Sequence, residues 1–341
     1  MFTRLADFFP IILTALVAAV VLSPLAARAA RRFGWVDVPG SAPHKLHGAP
    51  TPLAGGPVLA LSIAACYLIL RPPADPAVQG MLAGGLLVAA GGMLDDRRGL
   101  SPLFKLLIQF SAAAVLVIVG VRVQVTRIEA LDLALTLLWV VGMVNAFNFV
   151  DSMDGLALGL GGIAAAFFLL VTIDSGQPLL AVLSAAILGS ALGTFLYNAS
   201  PARLFLGDSG AQLLGFLLAA LGIAYVPGGA GLPQGVSWFT PILVLGVPIF
   251  DITFVVVSRL LRRQPVYQAG SDHTYHRLVA VGLDSSRAVL VMHLAAVALG
   301  LIAFMALDAS VLVANLVFAA AVLAGLCALI ALQRGWKKRG A

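Results

Sequence analysis

The chain is dominated by apolar runs, and their length restricts what it can fold into. Eleven runs can be traced, at about 8–27, 53–70, 77–94, 103–121, 130–147, 156–173, 178–197, 209–226, 238–258, 287–306 and 309–331. A bilayer span takes roughly 20 mostly apolar residues, and in lipid every backbone polar group must be satisfied within the spanning structure. Only 11% of residues are charged and 61% are apolar, where an ordinary soluble domain carries about 25% charged residues. The expectation is an all-α polytopic membrane protein with about eleven transmembrane helices, forming one integral-membrane domain over residues 1–341. The closest divisions between runs fall at Asp174–Pro178 and around Asp308.

The first run, Phe8 to Ala27, precedes Ala27-Arg28-Ala29, which resembles a signal-peptidase site. It is longer than a signal h-region of about 7–15 residues, and its arginines follow it, so it reads as a retained span. Cys66 and Cys327 lie inside apolar runs and read as small packing residues, not as a disulfide or metal framework. The 35 glycines suit close helix packing in lipid.

Orientation follows from Lys and Arg placement. With eleven spans, 17 of the 21 basic residues fall on one side, including Arg28, Lys45, Arg97, Lys105, Arg203, Arg259 and the C-terminal cluster. Only Arg4, Arg71, Arg122 and Arg127 fall on the other. That puts the C-terminus in the cytoplasm and the N-terminus outside. Nine aspartates share the basic side: Asp37, Asp95, Asp96, Asp151, Asp154, Asp208, Asp251, Asp272 and Asp284. The positive-inside rule asks nothing of them, so a cytoplasmic-face active site is expected.

The most informative loop is Asn145-Ala-Phe-Asn148-Phe-Val-Asp151-Ser-Met-Asp154-Gly155. Its four polar residues recur every third position, which on a helix places neighbours roughly on one face. Capping would explain one or two of them; four exceed what capping needs. The first cytoplasmic loop carries His44, Lys45 and His47 before Pro50-Thr-Pro-Leu-Ala-Gly-Gly56, a set able to meet an anion. Asp95-Asp96 is a pair of adjacent carboxylates that repel unless screened; a divalent metal, or a phosphate carrying one, would relieve them. Asn198 to Gly210 includes Phe205 and a glycine-flanked Asp208, suited to capping a helix or to holding phosphate and Mg²⁺. Asp251 lies inside an apolar run and reads as support for the site. His273, His276 and Arg277 suit phosphate recognition, whereas His293 reads as a packed histidine.

Taken together these loops resemble the polyprenyl-phosphate N-acetylhexosamine-1-phosphate transferase family, over nearly the whole chain. The resemblance rests on five ordered motifs: His44-Lys45-x-His47 with Pro50 to Gly56, Asp95-Asp96, Asn145 to Gly155, Phe205-x-Gly-Asp208-Ser-Gly210, and the His273/His276 loop. It implies transfer of a sugar-1-phosphate from a UDP-sugar to a polyprenyl phosphate, with release of UMP and with Mg²⁺ or Mn²⁺ as cofactor. Pro248-x-x-Asp251 and His-x-x-His-Arg-Leu fit the branch that makes GlcNAc-1-phosphate lipids. Tyr275 stands where relatives often carry His, and Leu53 where many carry Arg. By matched position the resemblance assigns Asp95, Asp96 and Asp208 to catalysis and Asp208 with Asp151 to the metal. Asn148, Asp151, Asp154, Asn198 and Phe205 fall to the nucleotide and its phosphates, and Asn145 to substrate binding. Lys45, His47, Lys105, His273, His276 and Arg277 fall to the remaining substrate contacts.

The implied partners are the polyprenyl phosphate, the UDP-sugar and the cell membrane, with a homodimer as candidate assembly and no nucleic acid. The phospho-MurNAc-pentapeptide transferase branch and, from another class, a secondary transporter are the competing readings. A transporter tends to place polar groups at the midplane, often with repeat symmetry; here they gather at one face.

Overall fold

The computed structural model describes residues 4–39, 49–126, 128–227, 239–265, 270 and 272–337. It is mostly helical, and a helix overlies every apolar run. These are α1 (Phe9–Arg32), α2 (Gly55–Leu70), α3 (Pro76–Arg98), α4 (Pro102–Ile118), α5 (Glu129–Val150), α6 (Leu156–Asp174), α7 (Pro178–Asn198), α8 (Gly207–Ala224), α9 (Phe239–Val244), α10 (Gly246–Leu261), α11 (Thr274–Val281), α12 (Ser285–Met305) and α13 (Val311–Lys337). Among the described residues, eight helices are long and apolar enough to cross a membrane, and α2 and α4 are shorter apolar helices. The chain is a polytopic membrane protein. The run at 238–258 is covered by two helices, α9 and α10, joined at Leu245. The divisions at 174–178 and near Asp308 are both present as helix breaks.

Local chemistry sets the helix starts. Asp75 and Ser101 each accept a backbone N–H three residues on, from Val78 at 3.0 Å and Phe104 at 3.3 Å. Each is followed by proline, whose missing N–H costs nothing in a first turn. Asp284 caps α12 through Arg287 N at 2.8 Å.

One feature departs from an all-α fold. β1 (Val36–Asp37) pairs antiparallel with β2 (Thr51–Pro52). The Pro-Thr-Pro-Leu-Ala-Gly-Gly segment, which contains β2, bonds to the residues that precede α8. Phe205 N donates to Pro52 O at 2.8 Å, Gly55 N to Phe205 O at 3.0 Å, and Gly56 N to Leu206 O at 3.1 Å. An irregular segment enclosed by helices must find partners for its backbone groups, and these extended residues find them in each other. Pro52 to Gly56 of the first motif and Phe205-Leu206 of the fourth are thereby one structural unit.

α8 sits at the centre. In its apolar window 83% of residues are buried, against 6% in α13, which lies at the periphery. α3, α5 and α2 pack around α8. Phe147, Phe168 and Phe216 fill the interior at 0% exposure. In lipid the gain comes from close packing, not from water exclusion. Gly92 of α3 shows how close: a Cβ there would stand 2.5 Å from Ser209 N and Cα. Cys66 is buried as expected, whereas Cys327 is exposed on α13.

Gly92→Ala is expected to push α3 off the start of α8, at a cost of about 1–3 kcal/mol. Thermal unfolding in detergent should show a lowered midpoint; an unchanged midpoint would mean that α3 does not closely abut α8.

Candidate active site

The site is built around the first turn of α8. A helix begins with backbone N–H groups that lack intrahelical partners, and those of α8 are met by aspartates from elsewhere in the chain. Asp96, in the last turn of α3, accepts Asp208 N through Oδ1 at 2.9 Å and Ser209 N through Oδ2 at 3.2 Å. Asp151, just past the end of α5, accepts Gly207 N. Gly207 itself has φ +71°, a conformation that favours glycine, and a Cβ there would press on the Asp96 carboxylate.

Asp208 then projects between helices. Its Oδ2 receives Lys105 Nζ at 3.1 Å and Asn148 Nδ2 at 3.3 Å. Lys105 also pairs with Asp95, whose Oδ1 accepts Leu100 N at 2.6 Å. The carboxyls of Asp95 and Asp208 are within hydrogen-bonding reach of each other. The expected repulsion between Asp95 and Asp96 is therefore relieved inside the protein, by Lys105 on one side and the α8 N-terminus on the other. Of the four carboxyls gathered here, Asp95 and Asp208 bond the Lys105 ammonium. Lost hydration, then the fields of Asp208, Asp96 and Asp154, push the Asp151 carboxyl well above the usual carboxylate range. The Gly207 N–H works against that rise.

The Asn/Asp stripe does not stay on one face. Three-residue steps drift by about 60° each on a helix of 3.6 residues per turn, and α5 ends at Val150. Asn145 turns to α4, where its Nδ2 donates to Gln109 Oε1 at 2.8 Å. Asn148 and Asp151 meet the α8 terminus. Asp154 accepts Ala202 N at 2.9 Å and so ties down the loop between α7 and α8. Asn198, 3% exposed, spends both ends of its amide on backbone: Oδ1 on Gly155 N and Nδ2 on Leu204 O. Its influence on any ligand passes through those two loops. Phe205 is half-buried, with its backbone in the bridge to β2.

The last loop reaches the same region through Phe149 and Ser152. The His273 ring stands edge-on to Phe149 at 5.7 Å, and Arg259 lies over the other ring contact of Phe149 at 5.7 Å. Tyr275 stacks on His273 at 5.5 Å and hydrogen-bonds Ser152. Asp251, 0% exposed, meets His273 Nδ1 at 2.9 Å and accepts Thr274 N at 2.7 Å, so it orients the ring and caps α11. The supporting role read for Asp251 matches this geometry. Asp272 is held below the usual carboxylate range by Arg262 and Arg259 against the opposing effect of burial.

Two residues of this loop sit differently from expectation. Arg277 is 2% exposed and lies over the Phe254 ring at 5.6 Å, with Nη2 donating to Ser258 Oγ at 3.4 Å and 3.9 Å from Asp272 Oδ1, so it faces α10 and its own loop and not the Asp208 cluster. One turn into α11, it falls on the face that packs inward. His276 has its imidazole pushed down to about 4, chiefly by burial and then by His273, so it is neutral near pH 7. His293 packs as expected, against Leu156 O and the Phe195 ring. Lys45 and His47, with His44, lie outside the described residues.

Among the described residues no three acidic, histidine or cysteine side chains converge as a ready-made metal shell. Mg²⁺ does not require one. It commonly takes one or two carboxylates and completes its shell with water and substrate phosphates. Asp208 and Asp151, hard oxygen donors in a crowd of negative charge, fit that demand.

A model of glycosyl transferase family 4 matches residues 78–226, which include Asp95-Asp96, the Asn/Asp stripe and Asp208. The chain is 33% identical over 294 residues to the probable undecaprenyl-phosphate N-acetylglucosaminyl 1-phosphate transferase of Bacillus subtilis, covering 83% of this chain and 80% of that protein. It is 32% identical over 344 residues to the decaprenyl-phosphate N-acetylglucosaminephosphotransferase of Mycobacterium tuberculosis, covering 89% and 84%. It is also 34% identical over 241 residues to the phospho-N-acetylmuramoyl-pentapeptide-transferase of Symbiobacterium thermophilum, covering 62% and 72%. The chain belongs to glycosyl transferase family 4.

In this family 4 protein some site neighbours carried little sequence signal. Gln109 is the clearest. It is one amide flanked by Ile108 and Phe110, four residues after Lys105, and that spacing alone pointed to a shared helix face. Ser152 and Tyr275 are joined across the fold, a pairing no local pattern reveals.

Two outcomes are expected. Asp96→Ala should destabilise by about 1–2 kcal/mol by uncapping α8, and Asp96→Asn by less; equal melting shifts would refute the capping role. Because the folded His276 pKa lies below its unfolded value, the unfolded state binds the extra proton between about pH 6.5 and 4. Stability from this group is complete above that window and falls as pH drops through it. Intrinsic-rate-corrected hydrogen exchange in α11 should speed up from pH 7 to pH 5, with the difference reduced in His276→Phe.

Proposed function

We propose that this protein transfers N-acetylglucosamine 1-phosphate from UDP-N-acetylglucosamine to a polyprenyl phosphate, giving a polyprenyl-diphosphate-sugar and UMP. The observation that carries the reading is the similarity, over more than four-fifths of the chain, to proteins whose names describe transfer of this sugar phosphate to polyprenyl phosphates. The geometry supports it: one lysine, one amide and several aspartates converge at a helix N-terminus, with an aromatic and imidazole wall beside them. The eleven-helix count, the external N-terminus and the placement in the cell membrane with the site facing the cytoplasm belong to the same proposal, supported by the 17-to-4 division of basic residues.

In the proposed reaction an oxygen of the acceptor phosphate attacks the β-phosphorus of the donor. A new P–O bond forms, the bond to the α–β bridging oxygen breaks, and UMP leaves with that electron pair. The acceptor is mostly dianionic near neutral pH, since a phosphate monoester has its second pKa at about 6. Positioning and charge neutralisation are then the main tasks. Asp208 with Asp151 would hold Mg²⁺ or Mn²⁺, which when bound neutralises charge on the donor diphosphate. Lys105 meets the incoming acceptor phosphate. Asn148 orients Asp208, and Asp154 fixes the α7–α8 loop for the nucleotide. His273, held by Asp251, faces the sugar-phosphate side. Direct attack is favoured over a covalent aspartyl intermediate, because both oxygens of Asp96 accept helix N–H groups and Asp95 is paired with Lys105.

A second donor, UDP-MurNAc-pentapeptide, is raised by the Symbiobacterium relative, although that match covers less of the chain. Purified protein with undecaprenyl phosphate and Mg²⁺ should release UMP from UDP-GlcNAc, and much less from UDP-MurNAc-pentapeptide. Asp208→Asn should raise the Mg²⁺ needed for half-maximal rate and lower kcat on the order of 100-fold. No Mg²⁺-dependent UMP release from any UDP-sugar would refute the proposal, and a phospho-enzyme formed from donor alone would refute direct attack.

A further inference from the structure

Gln109 lies in the interior of α4, 1% exposed, flanked by Ile108 and Phe110. An amide in hydrocarbon is costly unless it is partnered. Its partner is Asn145 of α5, whose Nδ2 donates to Gln109 Oε1 at 2.8 Å and to Val141 O at 2.7 Å. The bond therefore cross-links two neighbouring helices.

Its place matters. Gln109 follows Lys105 by four residues on α4, so the two share a helix face, and Asn145 precedes Asn148 by three on α5, nearly one turn deeper. Lys105 Nζ and Asn148 Nδ2 converge on the same atom, Asp208 Oδ2, at 3.1 and 3.3 Å. The two helices are thus joined twice, once through Asp208 at the site and once about a turn deeper through Gln109 and Asn145. If α4 slides or rotates against α5, Lys105 and Asn148 cannot both reach Asp208.

We propose that the Gln109–Asn145 hydrogen bond is a positioning device that fixes the register of α4 against α5 at which Lys105 and Asn148 engage Asp208. Its consequence for catalysis rests on the transferase reading; its effect on Lys105 does not. Asn145 is accordingly a positioning residue that acts from below the site.

Lys105, with its side chain 30% exposed, can be probed directly. Acetic anhydride labelling of Lys105 in the detergent-solubilised full chain, read by mass spectrometry, should run about fivefold or more faster in Gln109→Leu and in Asn145→Leu, with no further gain in the double variant. The exchange variant, Gln109→Asn with Asn145→Gln, restores an amide pair and should return labelling toward the wild-type rate. It also serves as the test if a leucine variant does not fold. In parallel, kcat for UMP release should fall about tenfold in each leucine variant, with the KM for UDP-GlcNAc within about twofold of wild type. Unchanged Lys105 labelling overturns the proposal. So does a double variant whose losses multiply, or a raised donor KM, which would make Asn145 a donor contact. Wild-type protein that releases no UMP refutes the transferase reading instead, and the labelling result still decides the positioning role.

Discussion

The first turn of α8 governs the rest of the structure. An 18-residue helix starts in the middle of the bundle, where its free N–H groups have little water to turn to. Asp96 supplies two acceptors and Asp151 a third. This obliges the end of α3 and the end of α5 to meet at one point. It also explains why Gly92 must be small, and why the strand-like segment before α8 docks on the residues after β2. Elements far apart in sequence are brought together because one helix terminus needs charge from both.

That solution has an electrostatic consequence. Carboxylates recruited to satisfy N–H groups bring more negative charge than a helix terminus can offset, about half an elementary charge. Asp208 adds another carboxyl, and Lys105 is the ammonium bonded to it. The pKa of the Asp151 carboxyl rises in response, through lost hydration and then the neighbouring carboxylates. The proposed reaction then brings a phosphate and a diphosphate to the same place. In the proposed reaction a divalent cation would make the two requirements compatible, since it would neutralise caps and substrates together and leave Lys105 for the acceptor.

Much of this was legible in the sequence, and the legible part has a pattern. Apolar runs announce membrane helices because the bilayer imposes length and composition on each segment independently. Asp95, Asp96, Asn148, Asp151 and Asp208 stood out because ionisable and amide groups at the ends of such runs are costly without a purpose. Division of labour among them was not legible. Whether Asp96 caps a helix or Asn145 faces a neighbouring span depends on which helix end arrives opposite, and local spacing does not encode that. The three-residue repeat from Asn145 to Asp154 looked like one stripe and proved to be four separate connections, because α5 stops at Val150 and the helical repeat drifts before it does. The setting of Arg277 was not legible for a related reason: its place on α11 turns it toward Phe254 and Asp272, and that depends on which helix packs opposite.

The same device occurs a second time. Asp251, buried in α10, caps α11 through Thr274 N and holds His273 with its other oxygen. In both places an aspartate from one helix captures the start of another and in doing so fixes a polar side chain of the captured helix: Asp208 from α8, and His273 from the start of α11. Serine or threonine within the helix itself usually suffices for capping. A carboxylate from a neighbouring helix does more, because it fixes the relative position of two elements as well as the terminus. For a reaction that depends on bringing two anions into line, that positional constraint matters more than any proton the aspartate might carry. It follows that an aspartate at the mouth of such a bundle should be read first for the helix end it holds, and only then for chemistry of its own.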